Sequence, residues 1–234
     1  MNSAAPDAFL FDLDGTLVDS EIHTDRAISA VTRQYGIADF ALPHSETRGR
    51  TWLYVAGRIR ALTKIDCSSD VLADELLNFW IEFATDVKPV PGAPEAIRAA
   101  AACDLKLGVV SGSPRSVIDS FLDKLKVSDC IDPRARIGGD VVRSSKPDPE
   151  GYLLAAGAHG IDPVDALVFE DSQAGLLAAR AAGMRSMFIT CCASDIPANT
   201  LIATASCTHY LSLPPRFWAQ LADGSCDFAG RSFA

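Results

Sequence analysis

Two carboxylates lie one residue apart near the start of the chain, at Asp12 and Asp14, directly after an apolar run. Side chains two positions apart on an extended segment point to the same side, so both groups should face one site. Carboxylate oxygens can hold a hard cation, and two of them can divide labour between nucleophilic attack and proton transfer. Gly15 follows the pair and allows a sharp backbone turn. An Asp-x-Asp pair alone is weak evidence, because solvated turns contain the same pattern.

Three further polar segments could act with this pair. The turn Ser111-Gly112-Ser113 offers hydroxyl and backbone N–H groups near a helix start, which is a ready anion site. Lys146 places an amine just before another predicted helix, and Glu170-Asp171 supplies a second pair of acids. Each segment alone has an ordinary interpretation as a turn, a helix cap or a surface residue. Their joint occurrence favours a single site that combines acid, hydroxyl and amine groups.

The elements that would position these groups alternate between short apolar runs and helical patterns. The predicted buried strands are 8–11, 105–110, 166–169 and 184–189. The clearest helical patterns are 94–102, 113–122 and 173–182. This alternation is typical of an α/β fold with a Rossmann-like parallel sheet. Because ligands bind at the carboxyl ends of such strands, the polar groups should converge there.

Residues 20–86 interrupt this alternation. They contain no convincing strand, and their apolar residues recur at helical spacing. We therefore expect a small α-helical cap domain at 18–90, inserted into an α/β core that consists of 1–17 and 91–234. Pro and Gly residues mark the point where the alternation resumes.

These motifs and their order resemble the haloacid dehalogenase-like superfamily of phosphohydrolases, in the branch whose helical cap follows the first strand. The family's four motifs have counterparts in Asp12-Leu13-Asp14-Gly15-Thr16, Ser111, Lys146 and Glu170-Asp171. The resemblance extends from about Phe9 to Ile189, nearly the whole chain. Within the superfamily, the chain is similar to sugar and polyol phosphate phosphatases, to phosphoglycolate phosphatase and to β-phosphoglucomutase.

The resemblance implies a role for each core motif. Asp12 would be the nucleophile that forms an aspartyl-phosphate, and Asp14 would protonate the leaving oxygen and then activate water. Ser111 and the Gly112 N–H would hold the phosphoryl oxygens, and Lys146 would offset their charge. The implied cofactor is Mg²⁺, with oxygen ligands from Asp12, the Asp14 carbonyl, Glu170 and Asp171.

The resemblance also implies a cap that closes over the substrate and supplies specificity. The expected cap-side contacts are Glu21, Arg48, Gly49, Arg50 and Trp52. On the core side, Ser113 and Arg115 follow Ser111 and could reach the ligand. Trp52 has an equally good interpretation as a packing residue of the cap. A cap of about 70 residues favours a small sugar, polyol or glycolate phosphate as the substrate.

Two other functions compete with a phosphatase. A β-phosphoglucomutase-like enzyme would hold a second phosphate with an arginine three residues after a cap glycine. Here Trp52 stands three residues after Gly49, while Arg48 and Arg50 flank that glycine. A non-catalytic phosphate-binding domain would be expected to lack a motif residue, and all are present. Asp14 favours phosphate esters, because dehalogenase relatives lack this acid and phosphonatase relatives carry a small residue there. We therefore predict a Mg²⁺-dependent phosphoric monoester hydrolase.

Composition excludes several other classes. The chain of 234 residues has 21 basic and 30 acidic residues and a formal charge of -9, which disfavours binding to nucleic acid. No apolar run approaches the ~18 residues of a membrane span, and the N-terminus does not resemble a secretory signal. Seven cysteines without C-x-x-C spacing indicate reduced thiols in a cytoplasm. The expected partner is a small phosphorylated metabolite, and the oligomeric state does not follow from the sequence. The Gly/Ser-rich tail after Leu221 is expected to fray.

Overall fold

A seven-stranded sheet lies at the centre of the protein in a computed structural model. The structure describes residues 5–234, except for the side chain of Glu21. Within this range the strands are β1 (Ala8–Phe11), β2 (Val18–Asp19), β3 (Lys88–Pro89), β4 (Lys106–Val110), β5 (Arg136–Ile137), β6 (Ala166–Glu170), β7 (Arg185–Ile189), β8 (Ala205–Cys207) and β9 (Ser232–Phe233). The α-helices are α1 (Glu21–Gln34), α2 (Trp52–Leu62), α3 (Ser69–Phe83), α4 (Ala93–Ala101), α5 (Arg115–Lys124), α6 (Glu150–His159), α7 (Gln173–Ala181), α8 (Ile196–Thr200) and α9 (Phe217–Ala222). Single turns of 3-10 helix occupy His44–Glu46, Ala84–Asp86, Ser128–Cys130, Pro133–Ala135, Pro163–Asp165 and Tyr210–Ser212.

The main sheet has the strand order β5-β4-β1-β6-β7-β8-β9, and every neighbouring pair is parallel. β1 lies between β4 and β6, with Phe11 opposite Val109 on one side and Phe169 on the other. All four residues of β1 are buried, as expected for a parallel strand covered by helices on both faces. The predicted Rossmann-like α/β fold is confirmed, and the four predicted strands lie where the apolar runs placed them.

The C-terminal tail corrects one prediction. It does not fray, because β9 pairs with β8 and the Phe228 side chain is only 1% exposed. Phe233 also packs against the main core. Two aromatic side chains therefore anchor an otherwise polar segment to the core. The backbone groups at the edge of β8, which would otherwise be unpaired, form hydrogen bonds with β9.

Helices α1, α2 and α3 form a unit with its own hydrophobic cluster. Its buried residues are Ile28, Val31, Leu42, Val55, Ala56, Ile59, Ile65, Leu72, Ala73 and Leu76. The antiparallel pair β2–β3 lies where the chain leaves the core and returns to it. Two short strands thus tie together the connections on either side of the helical unit.

Among the described residues, no helix combines the length and the apolar character needed to cross a bilayer.

Candidate active site

The predicted site residues emerge at one edge of the sheet. Asp12 directly follows β1 and its N–H donates to the Phe169 carbonyl at 3.0 Å. Ser111 follows β4, and its N–H donates to the Ile137 carbonyl at 3.0 Å. Glu170 ends β6, with Asp171 next to it. Backbone pairing between neighbouring strands therefore brings segments that are far apart in the sequence to the same edge.

Lys146 connects the two acidic pairs. Its Nζ donates to Asp12 Oδ1 and to Glu170 Oε1, both at 2.6 Å, and also to the Val110 carbonyl at 3.1 Å. All three side chains are buried. Burial lowers the pKa of Lys146, but the charges of Asp12 and Glu170 outweigh it and the net pKa is raised. The lysine therefore carries a permanent positive charge beside the Asp12 carboxylate.

Glu170 is held by four hydrogen bonds, from Lys146, from the Tyr152 hydroxyl at 2.9 Å, and from the N–H and hydroxyl of Ser172 at 3.0 and 2.9 Å. The backbone of α7 approaches so closely that a Cβ at Gly175 would lie 1.6 Å from Glu170 Oε1. Such partners are what a fully buried carboxylate needs, because buried polar groups without hydrogen bonds are costly. Sequence reasoning missed Tyr152, which follows Lys146 by six positions and looks like an ordinary apolar residue of α6.

Asp14 has different surroundings from Asp12. Its carboxylate accepts hydrogen bonds from the hydroxyls of Ser20, Ser111 and Ser113, at 2.6, 3.2 and 3.3 Å. Burial raises the pKa of Asp14, and the three hydroxyl donors partly oppose this shift. Such an acid keeps its proton closer to neutral pH, as a proton donor must. Sequence reasoning missed Ser20, although a serine six residues after the acid was visible.

Asp12, Glu170 and Asp171 each offer a carboxylate oxygen, and these atoms lie within 4.8 Å of one another. Among the described residues, Asp12 Oδ2 is buried and has no hydrogen-bond partner, and burial raises the pKa of this carboxyl well above its usual range. Gly15, at φ +82°, makes room for Asp171, since a Cβ there would lie 2.2 Å from Asp171 Oδ2. Buried, closely spaced oxygens with an unused ligand atom fit a hard divalent cation. The geometry therefore suits Mg²⁺.

A loop of the helical unit, residues 47–51, crosses to the core. The Arg48 guanidinium donates to the Cys192 carbonyl and lies 3.8 Å from Asp171 Oδ2. Arg50 donates to the Lys146 carbonyl, and the Thr51 N–H donates to Ser145 Oγ at 3.0 Å. This loop leads directly into α2, which begins at Trp52. The contacts therefore hold the helical unit over the carboxyl ends of the strands.

The contacts leave a cavity of about 30 Å³ between the loop and the core, room for one or two water molecules. Its lining residues are Asp12, Asp14, Thr24, Thr47, Arg48, Gly49, Arg50, Trp52, Val55, Trp80, Gly112 and Ser113. Trp52 both faces the cavity and packs edge-on against Trp80, with ring centroids 6.0 Å apart. The two interpretations of Trp52 are therefore compatible. Sequence reasoning assigned no lining role to Thr24, Thr47 or Trp80. Trp80 lies in α3 and has the spacing of an apolar packing residue.

Arg115, a predicted ligand contact, does not line this cavity. Arg115 opens α5, and its guanidinium turns along the helix toward Asp119 Oδ2 at 3.5 Å, while its N–H donates to Asp140. The structure thus places Arg115 away from the lining residues. The Glu21 side chain lies outside the described part of the chain.

Residues 6–183 match the family model of haloacid dehalogenase-like hydrolases. This chain belongs to that family. The hydrolase is 32% identical over 190 residues to validoxylamine A 7'-phosphate phosphatase of Streptomyces hygroscopicus subsp. limoneus, covering 77% of this chain and 84% of that protein. It is 28% identical over 193 residues to hexitol phosphatase B of Escherichia coli K12, covering 78% and 82% of the two chains.

The same fold occurs in the crystal structure of β-phosphoglucomutase from Clostridium difficile, with a TM-score of 0.79 at 20% identity, over 94% of this chain and 98% of that one. At this identity the likeness shows the fold alone. The relatives by sequence bear phosphatase names, and the predicted family and enzyme class are confirmed. The hydrolase is a phosphoric monoester hydrolase of the haloacid dehalogenase-like family.

Proposed function

We propose that this hydrolase is a Mg²⁺-dependent phosphatase that releases inorganic phosphate from small phosphomonoesters through an aspartyl-phosphate on Asp12. The observation that carries the proposal is the different bonding of two neighbouring acids. Asp12 has one oxygen on Lys146 and the other without a hydrogen-bond partner among the described residues. Asp14 is half-buried, accepts hydrogen bonds from three hydroxyls and has a raised pKa. One acid is arranged to attack, and the other to donate a proton.

In the first step an Asp12 oxygen forms a bond to phosphorus while the bond to the leaving oxygen breaks. Asp14 gives its proton to that oxygen, so the product leaves as a neutral alcohol. In the second step Asp14 takes a proton from water, which attacks phosphorus and regenerates the Asp12 carboxylate. Lys146 stabilises the charge on the transferred group, and the Ser111 hydroxyl and Gly112 N–H would orient its oxygens.

Mg²⁺ would be held by Asp12 and Asp171, with the Asp14 carbonyl and the charge of Glu170 completing the site. When bound, it would offset the repulsion between the attacking carboxylate and the phosphate. Glu170 Oε1 and Oε2 already accept four hydrogen bonds, from Lys146, Tyr152 and Ser172. Its main contribution is therefore to place the Lys146 ammonium and to add negative charge beside the cation.

Hydrolysis is better supported than a mutase reaction, the second candidate. A mutase must grip a second phosphate, and Arg48 and Arg50 bind the backbone carbonyls of Cys192 and Lys146. Trp52 lines the cavity at the position expected for a mutase arginine. Because both lining arginines already donate to backbone carbonyls, their use by the fold supports the transfer of phosphate to water.

The substrate that we propose is a small sugar or polyol phosphate. Trp52 and Trp80 provide an aromatic wall and Thr24 and Thr47 provide hydroxyls, a combination that suits C–H faces and hydroxyls of a polyol. The relatives named for validoxylamine A 7'-phosphate and for hexitol support this class. Glycolate phosphate is the smaller alternative, supported by the name of a relative that is 29% identical, from Pseudomonas aeruginosa. All seven cysteines are free, which supports our proposal of a cytoplasmic enzyme.

The test is a phosphate-release screen over sugar, polyol and glycolate phosphates, with Mg²⁺ and again after chelation of divalent ions. β-Glucose 1-phosphate is included, and its product is identified as free sugar or as an isomer. We expect free alcohol products, and loss of turnover on chelation that Mg²⁺ restores. An isomer as the main product would establish the mutase instead.

The assignment of the nucleophile is tested separately. Asp12→Asn should lower kcat by about a thousandfold or more, because it removes the attacking charge. Mass spectrometry of acid-quenched wild-type enzyme should find phosphate on the peptide that contains Asp12. Turnover near the wild-type rate in Asp12→Asn would contradict the mechanism, provided that its thermal unfolding shows an intact fold.

A further inference from the structure

Two adjacent cysteines, Cys191 and Cys192, follow β7 at the edge of the sheet that carries the active site. Their Sγ atoms are 3.6 Å apart, and Cys191 is exposed while Cys192 is half-buried. A disulfide needs a sulfur separation of about 2.05 Å, so a shift of about 1.5 Å would join them. The proposed catalytic mechanism uses neither thiol.

The loop that carries these thiols also contacts residues 47–51 of the helical unit, which we call the cap loop. The Cys192 carbonyl accepts a hydrogen bond from Arg48, whose guanidinium lies 3.8 Å from Asp171 Oδ2. On the other side, the Cys191 N–H donates to the Thr208 carbonyl at 2.9 Å and fixes the loop to the sheet. A single peptide unit therefore separates an exposed thiol from a contact that keeps the cap loop on the core.

We propose that Cys191 and Cys192 are a redox-active dithiol that hydroperoxides oxidise to a disulfide, and that this oxidation weakens the contact between Cys192 and Arg48. The disulfide itself is independent of the phosphatase proposal. Only the predicted effect on turnover rests on that proposal.

The chemistry proceeds in two steps. The exposed Cys191 thiolate attacks a hydroperoxide oxygen, the O–O bond breaks, and water or an alcohol leaves, so that Cys191 becomes a sulfenic acid. The Cys192 thiol then attacks this sulfur, the S–O bond breaks, and water leaves. Two electrons pass from the two thiols to one hydroperoxide. A hydrogen bond from the Cys192 thiol lowers the pKa of Cys191, which favours the thiolate at the exposed position.

Because the two cysteines are adjacent, their disulfide is easily reversed and its formation changes the contact between the Cys192 carbonyl and Arg48. Cα atoms joined by a trans peptide are about 3.8 Å apart, less than the roughly 4.4 Å at which ordinary disulfides begin, so the ring is strained and easily reduced. Closing the ring must rotate the peptide between the two residues. That rotation changes the direction of the Cys192 carbonyl, to which Arg48 donates.

Cys207 is the other thiol on this part of the sheet, and it is a poor competitor. Its side chain is buried, and burial raises the pKa of Cys207 to about 12, so it remains a protonated thiol at neutral pH. Oxidation is therefore expected at the 191–192 pair.

Peptide mapping tests the disulfide directly. The full-length protein is treated with one equivalent of hydrogen peroxide, alkylated and digested with trypsin, which releases residues 186–216 with Cys191, Cys192 and Cys207. We expect this peptide to have lost two hydrogens and to carry one alkyl group, on Cys207. Cys191→Ala should show no such loss, while Cys103→Ala, a half-buried cysteine after α4, should match the wild type. Alkylation of both adjacent thiols, or a disulfide that includes Cys207, would overturn the proposal.

Amide hydrogen exchange tests the coupling without any assay of turnover. Exchange in residues 47–51, where the Thr51 N–H donates to Ser145, should become faster on oxidation of the wild type and should be unchanged in Cys191→Ala. Unchanged exchange in fully oxidised wild-type protein would overturn the coupling.

Kinetics then test the effect on turnover. Loss of one charge-assisted hydrogen bond predicts a fall in kcat/KM of about tenfold, restored by dithiothreitol. Arg48→Gln should be slower before oxidation and should show no further fall, because the contact is already gone. An equal fall in Arg48→Gln would show that oxidation acts by another route. If the reduced enzyme hydrolyses no phosphomonoester, the phosphatase proposal fails. The peptide-mapping and hydrogen-exchange results still decide whether Cys191 and Cys192 form a redox-active dithiol.

Discussion

Asp12 and Asp14 are separated by one residue, yet they accept hydrogen bonds from different kinds of donor. The Lys146 ammonium contacts Asp12, while Ser20, Ser111 and Ser113 surround Asp14. Burial raises the pKa of both carboxyls; the opposing influence at Asp12 is the charge of Lys146, and at Asp14 it is the three hydroxyl hydrogen bonds. Pairs of acids with such different surroundings are a recurring solution for acid–base catalysis at neutral pH.

Asp14→Ala tests the division of tasks through the leaving group. An alkyl phosphate expels a poor leaving group that needs a proton, whereas an activated aryl phosphate does not. We expect kcat/KM to fall by about a hundredfold or more for the alkyl ester, and much less for the aryl ester. Equal losses with both esters would remove the acid assignment from Asp14.

Ser20→Ala should move the pH dependence in a defined direction. Because the Ser20 hydroxyl lowers the pKa of Asp14, its removal leaves burial less opposed and the pKa rises further. Attack on an alkyl phosphate requires protonated Asp14, so kcat/KM falls as the pH rises through this pKa. The midpoint of that fall should therefore lie at higher pH in Ser20→Ala than in the wild type.

A matched control for that experiment is Ser29→Ala, on the same helix. The Ser20 hydroxyl makes no capping hydrogen bond to α1, so its loss should leave the helix intact. A midpoint that stays in place in Ser20→Ala, or that moves equally in Ser29→Ala, would contradict the role of this serine.

At the level of elements, the cap loop covers the cavity and contacts the core. The cavity of about 30 Å³ cannot admit a sugar phosphate, so the helical unit must move away from the sheet for the substrate to enter. Gly49 lies close to the core, where a Cβ would be 2.5 Å from Ser172 Oγ. That hydroxyl cannot rotate freely, because it donates to Glu170 and accepts from the Gly175 N–H.

Gly49→Ala should hinder closure of the cap loop. We expect kcat/KM to fall by about tenfold or more, since the catalytic groups are completed only when the cap shuts. Gly36→Ala is a close control, because both glycines have positive φ, +68° and +77°, but a Cβ at Gly36 would meet nothing within 4 Å. Both variants bear the backbone strain, so an equal effect on turnover would show that the contact with Ser172 is unimportant.

The sequence predicts that residues next to strand ends lie close together, and the structure brings them together. Asp12, Ser111 and Glu170 each adjoin an apolar run, and strand pairing then dictates that they meet. Tyr152 and Trp80 could not be found in this way, because they lie within helices and their contacts with the site depend on how those helices pack in three dimensions. The short strands β5, β8 and β9 were missed for a related reason, since segments of two or three residues carry no periodicity.

At the level of the whole molecule, the C-terminal segment contributes to stability and not to the site. Phe228 is buried, so Phe228→Ala should lower the free energy of unfolding by about 3 kcal/mol, as measured by denaturant titration. Leu201→Ala, at a side chain that is 88% exposed, should change it by less than about 0.5 kcal/mol. A frayed tail would make the two variants alike.

The central place of β1 in the sheet has a consequence for biosynthesis. This strand leaves the ribosome well before its neighbours β4 and β6, which begin only at Lys106 and Ala166. Until the latter emerges, the nascent chain holds Asp12 without Glu170 or Asp171. The acidic cluster can therefore assemble only after residue 171 has been translated and β6 has paired with β1.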